Sequence, residues 1–367
     1  MTTLPILASD VAVERALDAI GRDESDLHLT APHRRRPSVW MIAGAVAVLI
    51  VAALISAAAV DRDGGSDLSG VVASVGRGLV SLRWQFTSIV VVLAGLHYVA
   101  TAIAARTAAG IPLPLGETLL VQLAAAAANR LTPAGIGAST VTVRYFTRRG
   151  MKLPAALGAV AGLSVLGAVA DLIVLTVLVL AGRWLGLSGG PHEIALLASH
   201  VTSLVTPLRS MWLWLAVGAV AGFIGLFWMR ARRRGRSRGW RQFWIPIGQL
   251  ARRPRRLGLL LGASGATTLI LGFAFVASTE MIPGPRPVAS LGALLIAFMI
   301  GAAAGSAVPV PAGLGSTEAA LVAILVDLHV PAGHAVQDVL VFRVLTFWLP
   351  AVVGVLATRR LTRHNAL

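Results

Sequence analysis

The sequence predicts an all-α polytopic membrane protein: about six full spans plus two broken re-entrant helical hairpins, related as an inverted repeat. Three observations predict it. Of 367 residues, 56% are hydrophobic and 13% charged, where soluble domains carry about a quarter charged residues. The charges are gathered into short stretches, with long uncharged apolar runs between them. Proline and glycine interrupt two of the apolar regions in closely similar ways.

Residues 1–38 form a polar N-terminal tail with several acids, including Asp10, Glu14 and Asp18. A cleaved signal peptide is not expected, because such peptides place a short basic region directly before their apolar core. The membrane domain covers 39–360, and 361–367 is a short C-terminal tail. A hydrocarbon layer of about 30 Å needs about 20 apolar residues. Trp40–Val60, Phe86–Ala104, Ala155–Ala181, Met211–Met229, Leu257–Met281 and Ala335–Ala357 meet that length. Between the first two, Leu68–Gln85 repeats apolar residues at helical spacing and suits the membrane interface.

The two broken regions run from Leu115 to Gly150 and from Ala289 to Val330. The first is interrupted at Pro133-Ala134-Gly135-Ile136-Gly137 and the second at Pro311-Ala312-Gly313-Leu314-Gly315, two stretches that align without gaps. Each region is the length of two short helices joined by a non-helical turn. Arginine placement sets the orientation by the positive-inside rule. The loop 230–256 is dense in arginine, and Arg34–Arg36, Arg359, Arg360 and Arg363 agree with it. Both termini then lie in the cytoplasm. The first broken region enters from inside and the second from outside, with opposite polarity. Such repeats place substrate sites at discontinuous helices near the bilayer midplane.

Several residues carry candidate chemistry. After the second break, Ser316 or Thr317 can cap a helix that begins with Glu318; after the first, Ser139 or Thr140 can cap a helix carrying Arg144. Two helix starts with free N–H groups near arginines would cradle a phosphate. Pro133 and Pro311 open the two breaks, and the bland alternative is that Gly135, Gly137, Gly313 and Gly315 only permit close helix packing. Arg343 lies eight residues into the last span, roughly 12 Å deep at 1.5 Å per residue. It needs a partner or a wet cavity there, and Glu318 and a lipid phosphate are the candidates. Asp171, mid-span, could pair with an arginine, relay protons or hydrogen-bond a neighbouring helix. Asp327 and Asp338 lie near the outer ends of their helices, where a bland structural role is the better reading, and Glu117 and Glu280, also near segment ends, read as interfacial.

Other chemistries find no support. The chain has no cysteine, which excludes disulfides and thiol catalysis, and its eight histidines show no ligand spacing. No cofactor or metal is expected, nor an enzymatic activity, and no GxxxxGK[ST] loop offers ATP binding. The net charge of +16 suits anionic headgroups better than nucleic acid in a chain of this hydropathy.

The stretch Val308–Arg360, with Pro311-Ala312-Gly313-Leu314-Gly315-Ser316-Thr317-Glu318, Arg343, Pro350 and Gly354, resembles the C-terminal signature of the lysylphosphatidylglycerol synthase transmembrane (flippase-like domain) family. Asn129-Arg130-Leu131-Thr132-Pro133-Ala134-Gly135-Ile136-Gly137, with Arg144 and Gly150, resembles its first signature. Ala134 and Ala312 stand where members often carry the first of two glycines, and Gly167 and Ala168 stand near the place of a Glu-Arg pair ahead of Asp171. The resemblance implies a stand-alone member without the aminoacyl-transferase domain, so lipid aminoacylation is not expected. It implies a flippase or transporter moving an anionic phospholipid, glycolipid or polyprenyl-linked lipid across the cytoplasmic membrane. The alternative is an accessory membrane scaffold for a lipid-modifying or glycosyl-transferring partner enzyme, recruited through the arginine loop. A third reading is an intramembrane transferase with a lipid-phosphate donor.

Overall fold

The computed structural model describes residues 81–130, 132, 136–185, 238–307 and 315–363. The expected spans Trp40–Val60 and Met211–Met229, most of the interfacial stretch Leu68–Gln85, the N-terminal tail and residues 364–367 of the C-terminal tail lie outside the described residues. So do Pro133, Gly135, Pro311 and Gly313. The described chain is helical throughout, with no strand. Four of its helices are long and apolar enough to cross a membrane.

Two of these form the backbone of the fold. Helix α1 (Trp84–Ala109) ends at Gly110, whose φ of 69° makes a left-handed cap and whose N–H donates to the Arg106 carbonyl. The first broken region gives α2 (Leu115–Arg130) and α3 (Ile136–Arg148), and α4 (Leu153–Leu185) follows. Next come α5 (Arg238–Ala251) and α6 (Pro254–Ser278), the latter opened by a proline whose missing N–H costs a first turn nothing. Helices α1 and α6 pack antiparallel along their lengths. At one end the Arg83 N–H donates to the Met281 carbonyl at 2.8 Å; midway, His97 Nδ1 meets the Thr267 carbonyl at 3.1 Å.

The second broken region gives α7 (Leu291–Ala307) and α8 (Ser316–Asp327), followed by α9 (Ala332–Arg343). A single π-helical turn, Val344–Trp348, joins α9 to α10 (Leu349–Arg363). The span expected at Ala335–Ala357 is therefore continuous but carries a widened turn at its middle, a deformation common at functional sites.

The two broken regions are hairpins that enter from opposite ends. The open end of α2–α3 carries the Glu117–Arg149 ion pair. There Leu113, Tyr145 and Phe146 pack with Ala105, Ala156 and Leu361. The open end of α7–α8 lies at the other pole, where the Val288 N–H donates to the Leu328 carbonyl at 3.1 Å. Helix α9 packs against α8 and α6, while α10 packs against α2. At Gly354 of α10 a Cβ would overlap the Leu123 backbone carbonyl, so glycine sets that helix spacing. The π turn consequently sits beside the last residue of α2, Arg130, and the first turn of α8, which carries Glu318. Basic residues gather at the pole of the first hairpin: Arg106, Arg148, Arg149, Lys152, Arg255 and Arg256 all lie at helix ends there. The opposite pole holds Glu280, with Arg286 at 2.8 Å and Arg83 at 3.8 Å.

Candidate functional site

The start of α8 is built by one carboxylate. Gly315 has a φ of 82°, a conformation that costs glycine least, and no atom lies within 4 Å of where its Cβ would stand. Its N–H donates to Glu318 Oε2 at 2.8 Å. Neither Ser316 nor Thr317 is the N-cap: the helix already begins at Ser316, and Gly315 occupies the cap position. The first break differs from expectation in the same way. Ser139 and Thr140 lie inside α3, which begins at Ile136, so neither can cap it. Thr132 serves instead, its hydroxyl accepting the Gly137 N–H at 2.8 Å. A Cβ on Gly137 would overlap Thr132 Oγ1, so here glycine is demanded by closeness.

Glu318 and Arg343 meet as the sequence suggested. Arg343 Nε donates to Glu318 Oε1 at 2.6 Å, with Glu318 3% and Arg343 9% exposed. One carboxylate thus accepts both the cap N–H and the guanidinium. Phe342, next to Arg343, is fixed by edge-on contacts with Phe275 and Phe298 at 5.5 and 5.8 Å between centroids. This aromatic packing anchors the last turn of α9 and with it the direction of Arg343.

A second arginine joins the cluster. Arg130, the last residue of α2, donates to the carbonyls of Phe347 and Ala126. Its guanidinium carbon lies 4.0 Å from the Phe347 ring centroid, and that of Arg343 lies 4.1 Å from the same centroid. Cation–π contact offsets part of the cost of holding two guanidinium groups there. The Tyr98 hydroxyl of α1 faces Arg130. Trp348 packs edge-on against Phe347 at 5.3 Å. Around this ring three buried donors have no acceptor: Arg130 Nε, Arg343 Nη2 and Trp348 Nε1. Asn129 adds a buried amide oxygen without a partner. Buried N–H groups are almost always satisfied, and two of these three belong to guanidinium groups that share the Phe347 ring. Glu318 neutralises one guanidinium, and no acid among the described residues neutralises the other.

Arg130 and Trp348 were not singled out from the sequence. The signal was present for Arg130: α2 enters from its basic pole for 16 residues, about 24 Å at 1.5 Å per residue, and an arginine that deep asks for a partner. Trp348 carried no signal, because its role depends on the π turn.

The other candidates are placed apart. Arg144 is exposed on α3 and lines a separate cavity of 510 Å³ with Ser139, Thr140 and Thr147, and no contact joins it to Arg343. Asp171, exposed on α4, accepts a hydrogen bond from Thr268 of α6 and meets no arginine among the described residues. That is the helix-to-helix bond, not the arginine pair, of the three roles considered. Glu117 and Glu280 are ion-paired near helix ends as interfacial groups. Asp338 is 2% exposed within α9, which packs against α6 and α8. No group of His, Asp or Glu suited to a metal ion occurs among the described residues.

Comparison with known families adds one match, to the model described as Lysylphosphatidylglycerol synthase TM region, over residues 40–354. No curated protein matches the chain.

Proposed function

We propose that this chain, which belongs to the lysylphosphatidylglycerol synthase TM-region family, moves an anionic lipid between the leaflets of the cytoplasmic membrane through the site at its hairpin tips. It is a multi-pass membrane protein, and its family is tied to lipid flippase-like function. The carrying observation is the trio of buried, acceptor-free donors on Arg130, Arg343 and Trp348, beside one uncompensated positive charge. A phosphodiester supplies one negative charge and several acceptor oxygens. Guanidinium forks match phosphate geometry, and charge-assisted bonds of this kind are about twice as strong as neutral ones.

The roles follow from the contacts. Glu318 orients Arg343 and leaves Nη2 free; the Phe347 carbonyl holds Arg130 and leaves Nε free. The Trp348 indole would close the cradle from the π turn. The hairpins reach this point from opposite poles, which supports access from either leaflet in turn. The basic pole is the cytoplasmic one by the positive-inside rule. In this reading the chain is a transporter and performs no covalent chemistry on its lipid.

The test is translocation of headgroup-labelled lipids in proteoliposomes, with anionic, neutral and polyprenyl-phosphate lipids compared. Wild type is expected to move anionic lipids selectively, and Arg343→Ala to abolish that movement. Trp348→Phe removes one N–H while keeping an aromatic ring, so it should slow translocation without loss of folding. Translocation unchanged in Trp348→Phe and Arg130→Ala would overturn the site. A folded wild type that moves no lipid would overturn the function and favour the scaffold reading.

A further inference from the structure

We propose that the protein carries a second anion site at its basic pole, a cavity between α1 and α6 that takes the phosphate headgroup of an anionic lipid. Its use as a loading station for the hairpin tips rests on the flippase reading; the binding itself does not.

The cavity has a volume of 400 Å³ and is framed by Arg106 and Arg256, with apolar walls from Ile103, Ile111, Pro112 and Leu259. Arg106 comes from the last turn of α1 and Arg256 from the first turn of α6. Both are half-buried, and neither has an ion-pair partner among the described residues. At this pole the carboxylate of Glu117 is already committed to Arg149. Two guanidinium groups that converge on one partly enclosed space repel each other more strongly than they would in water. The end of α1 offsets about half a unit of charge through its dipole, which leaves most of the positive charge uncompensated.

Gly110 shapes the opening. Its left-handed conformation turns the chain away at the end of α1, and Arg256 Nη1 lies only 3.7 Å from where a Cβ would stand. The guanidinium therefore lies across the helix end, pointing into the cavity with Arg106, where a longer stem would otherwise extend to water.

The walls decide which phosphate fits. Leu259 is 54% exposed and continues the cavity onto the flank of the bundle. Helix α5, immediately before α6, presents Trp244 and Ile245 at 46% and 42% exposure. An amphipathic helix with an exposed tryptophan beside a basic pole marks the level of the headgroups. A headgroup with acyl chains attached uses both the cations and the apolar walls. Free phosphate uses the cations alone.

The experiment titrates the full chain, in nanodiscs of zwitterionic lipid, with fluorescent short-chain phosphatidylglycerol. The background is Trp348→Phe, which weakens the hairpin-tip site. Arg106→Gln/Arg256→Gln should weaken binding at least about tenfold, the loss of two charge-assisted contacts. Arg252→Gln/Arg253→Gln, on exposed positions outside the cavity, should change it by less than about twofold. Unchanged affinity in the first pair, or equal losses in both pairs, would overturn the site by reducing it to general surface charge. Displacement of the lipid by inorganic phosphate at matched ionic strength would overturn the lipid assignment. Absence of translocation in wild type would sink the proposed function and leave this binding result standing.

Discussion

Removing Glu318 tests how the second hairpin and the last span are joined. The carboxylate is 3% exposed and accepts two bonds, from Gly315 N–H at 2.8 Å and Arg343 Nε at 2.6 Å. In Glu318→Ala the buried Arg343 loses its counter-charge, and breaking a buried pair from one side costs about 3–5 kcal/mol. The orphaned Gly315 N–H adds about 1 kcal/mol. The second variant, Glu318→Ala/Arg343→Met, removes the stranded charge and fills the arginine stem's volume with an unbranched side chain. It keeps the loss of the cap bond and gives up a cation–π contact of about 1 kcal/mol. The double variant should therefore be more stable than the single one by about 3 kcal/mol, roughly a hundredfold in the unfolding equilibrium. Reversible unfolding in mixed micelles by titration with SDS, followed by tryptophan fluorescence, reads the difference. Single and double variants that unfold together would refute the reasoning, because the stranded charge would then carry no cost. The same double variant, folded, should fail to translocate lipid, which separates the role of Arg343 in function from its role in stability.

Helix spacing is open to a paired test. Gly354→Ala places a methyl group onto the Leu123 carbonyl and should lower the melting temperature, since a backbone atom cannot step aside. Gly95→Ala, with nothing within 4 Å of the new atom, should be neutral or stabilising by up to about 1 kcal/mol. At the first break, Thr132→Val removes the acceptor of the Gly137 N–H and should cost about 0.5–2 kcal/mol. Thr132→Ser should restore most of it, as read by the same unfolding titration.

Much of the architecture was legible because the bilayer constrains it so strongly. A backbone in hydrocarbon must satisfy its own hydrogen bonds, so apolar runs of the right length had to be helices. The structure places α1, α4, α6 and the α9–α10 span within a few residues of the expected runs. Proline and glycine cannot continue a helix cheaply, so each broken region had to be a pair of short helices, and α2–α3 and α7–α8 are those pairs. Charge did the rest: a buried Arg343 needs a partner, and Glu318 was the acid the second motif offered.

The tertiary structure alone decided what those local signals could not contain. Whether Ser316 or Gly315 caps α8 depends on where the helix axis starts, which packing against α7 and α9 sets. Asp171 and Arg144 were candidates beside Arg343, yet helix rotation turns both to exposed faces. Arg130 and Phe347 lie 217 positions apart in the chain and become neighbours only because α10, entered through the π turn, packs against α2. A sequence states which groups are costly to bury. Only the assembled helices determine which of them share a burial place, and hence which donors are left without an acceptor.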